Sequence, residues 1–116
     1  MRVLRWLGSS LYDLSAFPPD VKRAFGHALW EVQKGETPLS AVPLTQFGAG
    51  VYELKESHDG DAYRSVYIVK LKSAVFVLHA FKKKSRSGKS MPREDIALIE
   101  QRMKRARELD AEEMKK

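Results

Sequence analysis

Two runs rich in β-branched and aromatic residues lie close together in the second half of the chain. They are Tyr63-Arg64-Ser65-Val66-Tyr67-Ile68-Val69 and Val75-Phe76-Val77-Leu78-His79-Ala80-Phe81. Separated by a few turn-prone residues, they read as an antiparallel hairpin, and the rest of the chain reads as its scaffold. In a hairpin the start of the first strand and the end of the second are neighbours. Arg64 therefore approaches Lys82, Lys83 and Lys84, with His79, Tyr63 and Tyr67 nearby. A guanidinium and several ammoniums around a titratable imidazole suit a phosphate-bearing ligand.

The charge pattern points the same way. Residues 1–62 carry 6 Lys and Arg against 8 Asp and Glu, whereas residues 63–116 carry 15 against 7. A basic half on a chain of net charge +6 suits a polyanion, with nucleic acid the first candidate. With 116 residues, 43% of them hydrophobic, the chain is long enough for one domain, residues 1–116, with a modest core. It has no cysteine, which excludes a disulfide framework, a thiolate metal site and a cysteine nucleophile. The three histidines lack metal-ligand spacing, so neither a metal nor a cofactor is expected. The first residues are too short and interrupted for a signal peptide, and nothing approaches the roughly 20 apolar residues of a membrane span. The expected location is the cytoplasm, with no membrane partner.

Taken in order, residues 3–6 suggest a short strand and residues 9–14 a brief helix with Ser9 or Ser10 as N-cap. Pro18 and Pro19 stop that helix and open a longer one, in which Val21, Ala24, Phe25, Ala28, Leu29 and Val32 form one apolar stripe. Lys34-Gly35 closes it. Residues 36–46 read as a loop, and residues 51–56 alternate, with Tyr52 and Leu54 on one face and Glu53 and Lys55 on the other. Asp59-Gly60 is a hairpin turn. A last helix starts at Pro92, with Ile96, Ile99, Met103 and Ala106 as a narrow apolar stripe, and is expected to fray over residues 112–116. The class is α+β, with helices packed on one face of an antiparallel sheet.

Each candidate has a structural alternative. Arg64 could instead pair with Glu53 or Glu56 on the preceding strand. His79 alternates with Val77 and Phe81, so it could be a hydrogen-bonded residue at the core edge. The lysine run could be edge protection, but it continues through Arg86 and Lys89 among serines and a glycine, which suits a loop following a phosphate backbone. Gly88-Lys89-Ser90 does not make a nucleotide-binding loop, because the upstream glycine would fall at Lys83. Arg, Lys, His and Tyr without metal or cysteine fit RNA cleavage. A base takes the 2′-hydroxyl proton, cations hold the charge on phosphorus, and an acid protonates the leaving 5′-oxygen. His79 or a lysine whose pKa is depressed by its cationic neighbours is the candidate base, and Arg64 the phosphate clamp.

At these residues the chain resembles a known family. Gly50-Val51-Tyr52-Glu53-Leu54, Tyr63-Arg64-Ser65-Val66-Tyr67 and Leu78-His79-Ala80-Phe81-Lys82-Lys83-Lys84-Ser85 are similar to the signature of the phage-derived Gp49-like/HigB-type proteins of the RelE/ParE toxin superfamily. The likeness spans about residues 4–103. It implies a RelE-like fold, N-terminal helices packed on an antiparallel sheet with a C-terminal helix. It implies the toxin of a type II toxin–antitoxin module, an mRNA interferase cutting messages on the translating ribosome. Its partners would be mRNA, the ribosome and a cognate antitoxin of helix-turn-helix type. By motif, the catalytic positions are Arg64, His79, Lys82 and Lys83, while Lys84, Arg86, Lys89, Tyr63 and Tyr67 would contact RNA. The superfamily also contains gyrase-binding toxins of the same fold, and a catalytically silent binding protein is the third alternative.

Overall fold

Proline and acidic residues at helix starts, glycines after helix ends and alternating apolar residues set the elements seen in the computed structural model, which describes residues 1–83 and 91–116. The order is β1 (Leu4–Trp6), α1 (Ser10–Ser15), α2 (Pro19–Gln33), β2 (Val42–Pro43), a 3-10 turn (Thr45–Phe47), β3 (Val51–His58), β4 (Asp61–Ile68), β5 (Val75–Lys83) and α3 (Arg93–Met114). Pro19 and Asp20 occupy the first turn of α2, where a missing N–H costs nothing and a carboxylate meets the positive end of the dipole. Glu94 and Asp95 likewise place carboxylates in the first turn of α3, which remains helical to Met114 rather than fraying at residue 112. At the β3–β4 turn Asp59 and Gly60 both take positive φ, 49° and 81°, the backbone that a two-residue hairpin loop with the right twist requires.

The five strands form one sheet in the order β1-β5-β4-β3-β2. The sheet is mixed, not purely antiparallel. β1 runs parallel to β5, with Leu4 opposite Val75 and Trp6 opposite Val77, while every other pairing is antiparallel. A parallel neighbour needs a long crossover, and here it is most of the molecule between residues 6 and 75. The expected 36–46 loop also contributes β2, two residues paired with β3.

Both faces of the sheet are covered, which corrects the expectation of helices on one face. On one side Leu14, Val21, Phe25, Leu29 and Val32 of α1 and α2 pack on Leu54, Tyr63, Tyr67, Val75, Val77 and Ala80. On the other, Ile99, Met103 and Ala106 of α3 pack on Val51, Val66, Ile68, Phe76 and Leu78. Each fully buried Leu, Ile or Phe in these layers contributes about 1.5–3 kcal/mol. Among the described residues no helix is long and apolar enough to cross a membrane.

A β-bulge in β5 decides which face each residue near its middle takes. Val66 is opposite His79, yet the next residue, Tyr67, is opposite Val77, so Leu78 is the extra residue. Val77 and Ala80 thus face α1 and α2, while Leu78 faces α3 and His79 bonds to α3 side chains. The simple alternation of His79 with Val77 does not hold.

Two side chains tie the β4–β5 connection to the body. The Arg2 guanidinium donates to the carbonyls of Val69 (2.8 Å), Leu71 and Ala74 (2.9 Å). Asp110, near the far end of α3, accepts from the Ser73 amide (2.7 Å), the Ser73 hydroxyl (2.5 Å) and the Lys72 amide (3.2 Å). Burial pushes the Asp110 carboxyl up, but these hydrogen bonds and the Lys72 charge outweigh it and leave the pKa below its ordinary value.

Candidate active site

Alternation along β3 and β4 places Glu53, Lys55 and Arg64 on the α3 side of the sheet, away from Tyr52, Leu54 and Tyr63. They line a cleft of about 610 Å³, together with Phe81 and Lys83 from β5, Ile96 from α3 and Val42 and Leu44 from the crossing segment. Lys55 stands directly opposite Arg64 in the ladder, and Glu53 stands opposite Val66. Arg64 Nη1 donates to Glu53 Oε1, with both side chains largely enclosed at 15% and 6% exposure. The Arg64 Nε–H is buried and has no hydrogen-bond partner among the described residues. The cleft thus holds three cationic side chains and one carboxylate in a partly dewatered setting, where charge interactions are stronger than at an open surface.

A second cleft, of about 670 Å³, runs along the C-terminal half of β5 and shares Phe81, Lys83 and Pro92 with the first. Tyr63, His79, Lys82, Phe17, Asp13 and Asp95 also line it. Lys82 alternates away from Lys83: its ammonium bonds Asp61 at 3.0 Å and lies 6.0 Å from the centre of the Tyr63 ring. The hydrogen bond and charge of Asp61 raise the Lys82 pKa. This corrects the expectation for that lysine, because the carboxylate beside it, and not the neighbouring cations, sets the direction of its shift.

Of the other anticipated residues, the two tyrosines are buried. Tyr63 is 8% exposed, with its ring 4.9 Å from that of Phe17. Tyr67 is 1% exposed and stacks on Tyr52 at 5.7 Å; burial, then the neighbouring Tyr52, raises its pKa. A ring so enclosed is a packing residue and offers no face to RNA. Lys84, Arg86 and Lys89 lie outside the described residues.

His79 is buried on the α3 side. Its Nε2 lies 2.7 Å from Asp95 Oδ1, and its Nδ1 3.5 Å from Arg102 Nη1. Arg102 also donates to the Leu78 carbonyl at 3.0 Å and to the Ser9 hydroxyl at 3.2 Å. Burial lowers the Arg102 pKa, partly offset by the charge of Asp13.

The structure therefore brings Arg64 and Lys83 together in the first cleft and places Tyr63, His79 and Lys82 in the second, with Lys83 lining both. Sequence reasoning missed Lys55 as a site residue and saw Glu53 only as a structural partner. The signal for both was present in the β3 alternation. Asp95 and Arg102 were missed as well, although their spacing of seven places them on one helix face.

Comparison with known proteins agrees with this architecture. Residues 12–104 match the family described as phage-derived protein Gp49-like. No curated protein matches. Among solved structures, the chain is similar to the free state of a mutant of the E. coli toxin RelE in which two arginines are replaced by alanine. The TM-score is 0.54 and the identity 20%, over 73% of this chain and 86% of that one. At that identity the likeness concerns the fold. The chain belongs to the phage-derived Gp49-like family, a family of RelE/HigB-type toxins, and carries a RelE-like fold.

Proposed function

We propose that this protein is the toxin of a type II toxin–antitoxin module and an endoribonuclease that cuts mRNA on translating ribosomes in the cytoplasm, with the Arg64 cleft as its active site. The observation that carries the reading is the enclosed Glu53–Arg64 pair flanked by Lys55 and Lys83. A carboxylate and three cations are the parts that phosphodiester cleavage by neighbouring-group attack needs. Glu53 takes the proton of a ribose 2′-hydroxyl, and the oxygen attacks the adjacent phosphorus. Arg64 and Lys83 hold the charge that accumulates on the phosphoryl oxygens. Lys55 gives a proton to the 5′-oxygen as the P–O5′ bond breaks, leaving a 2′,3′-cyclic phosphate and a 5′-hydroxyl. Lys82 is held by Asp61, and His79 is enclosed by Asp95 and Arg102, so neither is assigned a chemical step. A cognate antitoxin, of helix-turn-helix type by family resemblance, would hold the activity in check.

The test is induced expression in a bacterial host with Arg64→Ala as control, followed by 5′-end mapping of mRNA and a supercoiling assay on the same cells. New translation-dependent mRNA ends that disappear in the variant are expected. Intact messages with inhibited supercoiling would overturn the reading in favour of gyrase binding, and no growth effect would overturn it in favour of a silent binding protein.

A further inference from the structure

We infer that His79 is a positioning residue for the Arg64 cleft, one that acts through Phe81 and Asp95 instead of carrying a proton itself. The inference rests on the ribonuclease reading above for its catalytic readout only; its structural part stands on the geometry.

Both ring nitrogens are engaged inside the protein. Arginine has only donors, so Nδ1, which faces Arg102, is the acceptor and Nε2 carries the hydrogen given to Asp95. Moving a proton through either nitrogen would break one of these contacts. The ring lies stacked on Phe81, with centroids 4.7 Å apart and planes 18° apart; Phe81 lines both clefts, while His79 lines only the second. Seen from the Arg64 cleft, the imidazole is therefore behind the Phe81 wall, with its edge on the second cleft.

The arrangement around it is anchored on three elements. Asp95 is in the first turn of α3, so the Nε2–H bond seats that turn against β5. Arg102, two turns further on, reaches past the imidazole to the bulge carbonyl of Leu78 and to Ser9 at the start of α1. Gly8 makes room for it. It has φ of +54°, and a Cβ there would lie 2.6 Å from Arg102 Nε. The bulge that turns His79 toward α3 thus joins β5, α3 and the entry to α1 at one ring, and that ring backs the Phe81 wall. The first turns of α3 carry Ile96, which also lines the cleft. Fixing Phe81 and Ile96 together fixes the width of the site, and small displacements there cost rate steeply.

The test uses the full chain, with cleavage of mRNA on programmed ribosomes and amide exchange in α3 as parallel readouts, and ¹⁵N NMR of the imidazole. The wild-type spectrum should show a protonated Nε2 and an unprotonated Nδ1. Glutamine can still donate to Asp95, so His79→Gln is expected to cleave within about threefold of wild type with an unchanged pH profile. His79→Ala is expected to lose about tenfold or more and to lose exchange protection in the first turns of α3, with His79→Ala/Phe81→Ala no worse than either single variant. His79→Gln as inactive as His79→Ala, with α3 equally protected in both, would overturn the inference and assign the imidazole a proton-transfer role. If the wild type cleaves no RNA, the ribonuclease reading falls, and the exchange data decide positioning alone. Lost protection in His79→Ala but not His79→Gln supports it, and unchanged protection in both overturns it.

Discussion

Arg64 reaches diagonally across the β3–β4 ladder to Glu53, passing over its direct partner Lys55. The consequence is a carboxylate, a guanidinium and an ammonium on three adjoining positions of one sheet face, the first two largely enclosed and the Lys55 ammonium exposed. Pairing of the two charges also makes the site part of the fold.

Removing one member of an enclosed ion pair leaves the other without compensation and costs about 3 kcal/mol, whereas removing both is milder. Arg64→Ala should therefore lower stability to denaturant more than the double variant Glu53→Gln/Arg64→Met. Both should lose toxicity on induction. A folded, fully toxic Arg64→Ala protein would contradict the assignment.

Lys83 and Lys82 are neighbours in sequence on opposite faces, and only Lys83 lines the Arg64 cleft. Lys83→Ala is expected to reduce mRNA cleavage by on the order of 10²-fold, the usual loss when one group that holds transition-state charge is removed. Lys82→Ala, which breaks an exposed contact with Asp61, should change both cleavage and stability little. Single-turnover rates of the two variants on the same ribosomal substrate distinguish them.

Asp110 predicts a pH dependence. Its carboxyl has a folded-state pKa below the ordinary value of 3.8, so its stabilising effect is complete above that value and is lost as pH falls through the lower folded value. Asp110→Asn should cost about 2 kcal/mol at neutral pH, the range for hydrogen bonds to a charged group. The gap between the two proteins should close in strong acid. Denaturant unfolding from neutral pH down to about the ordinary carboxyl value and below checks the sign.

Gly8 is required twice, for its left-handed backbone and for the space that Arg102 fills. Gly8→Ala should lose about 1–2 kcal/mol for the backbone conformation alone and more for displacing Arg102. In an Arg102→Ala background the second contribution should vanish, and a thermal-unfolding double-mutant cycle measures it.

Local chemistry made much of this protein legible before its structure. The apolar stripe of α2 and its proline start and glycine stop, the Asp59-Gly60 turn and the alternation of β3 each depend on neighbours within a few residues, and each was found where that chemistry puts it. The approach of Arg64 to the end of β5 followed from hairpin geometry in the same way, as did the option of its pairing with Glu53.

What escaped the sequence depends on long-range registration. The parallel pairing of β1 joins residues some seventy positions apart, and the covering of both sheet faces depends on which side α3 crosses; no local pattern encodes either. The bulge at Leu78 shifts the pairing of β5 by one residue, and a strand shifted by one residue changes the face of every side chain that follows. That single insertion takes His79 from an expected line with Val77 to a place against Asp95 and Arg102. Composition and periodicity by themselves determined a basic α+β chain with a cationic hairpin end. Only the tertiary structure decided which of those charges share a cleft, because that choice is made by register and by the helix that closes over it.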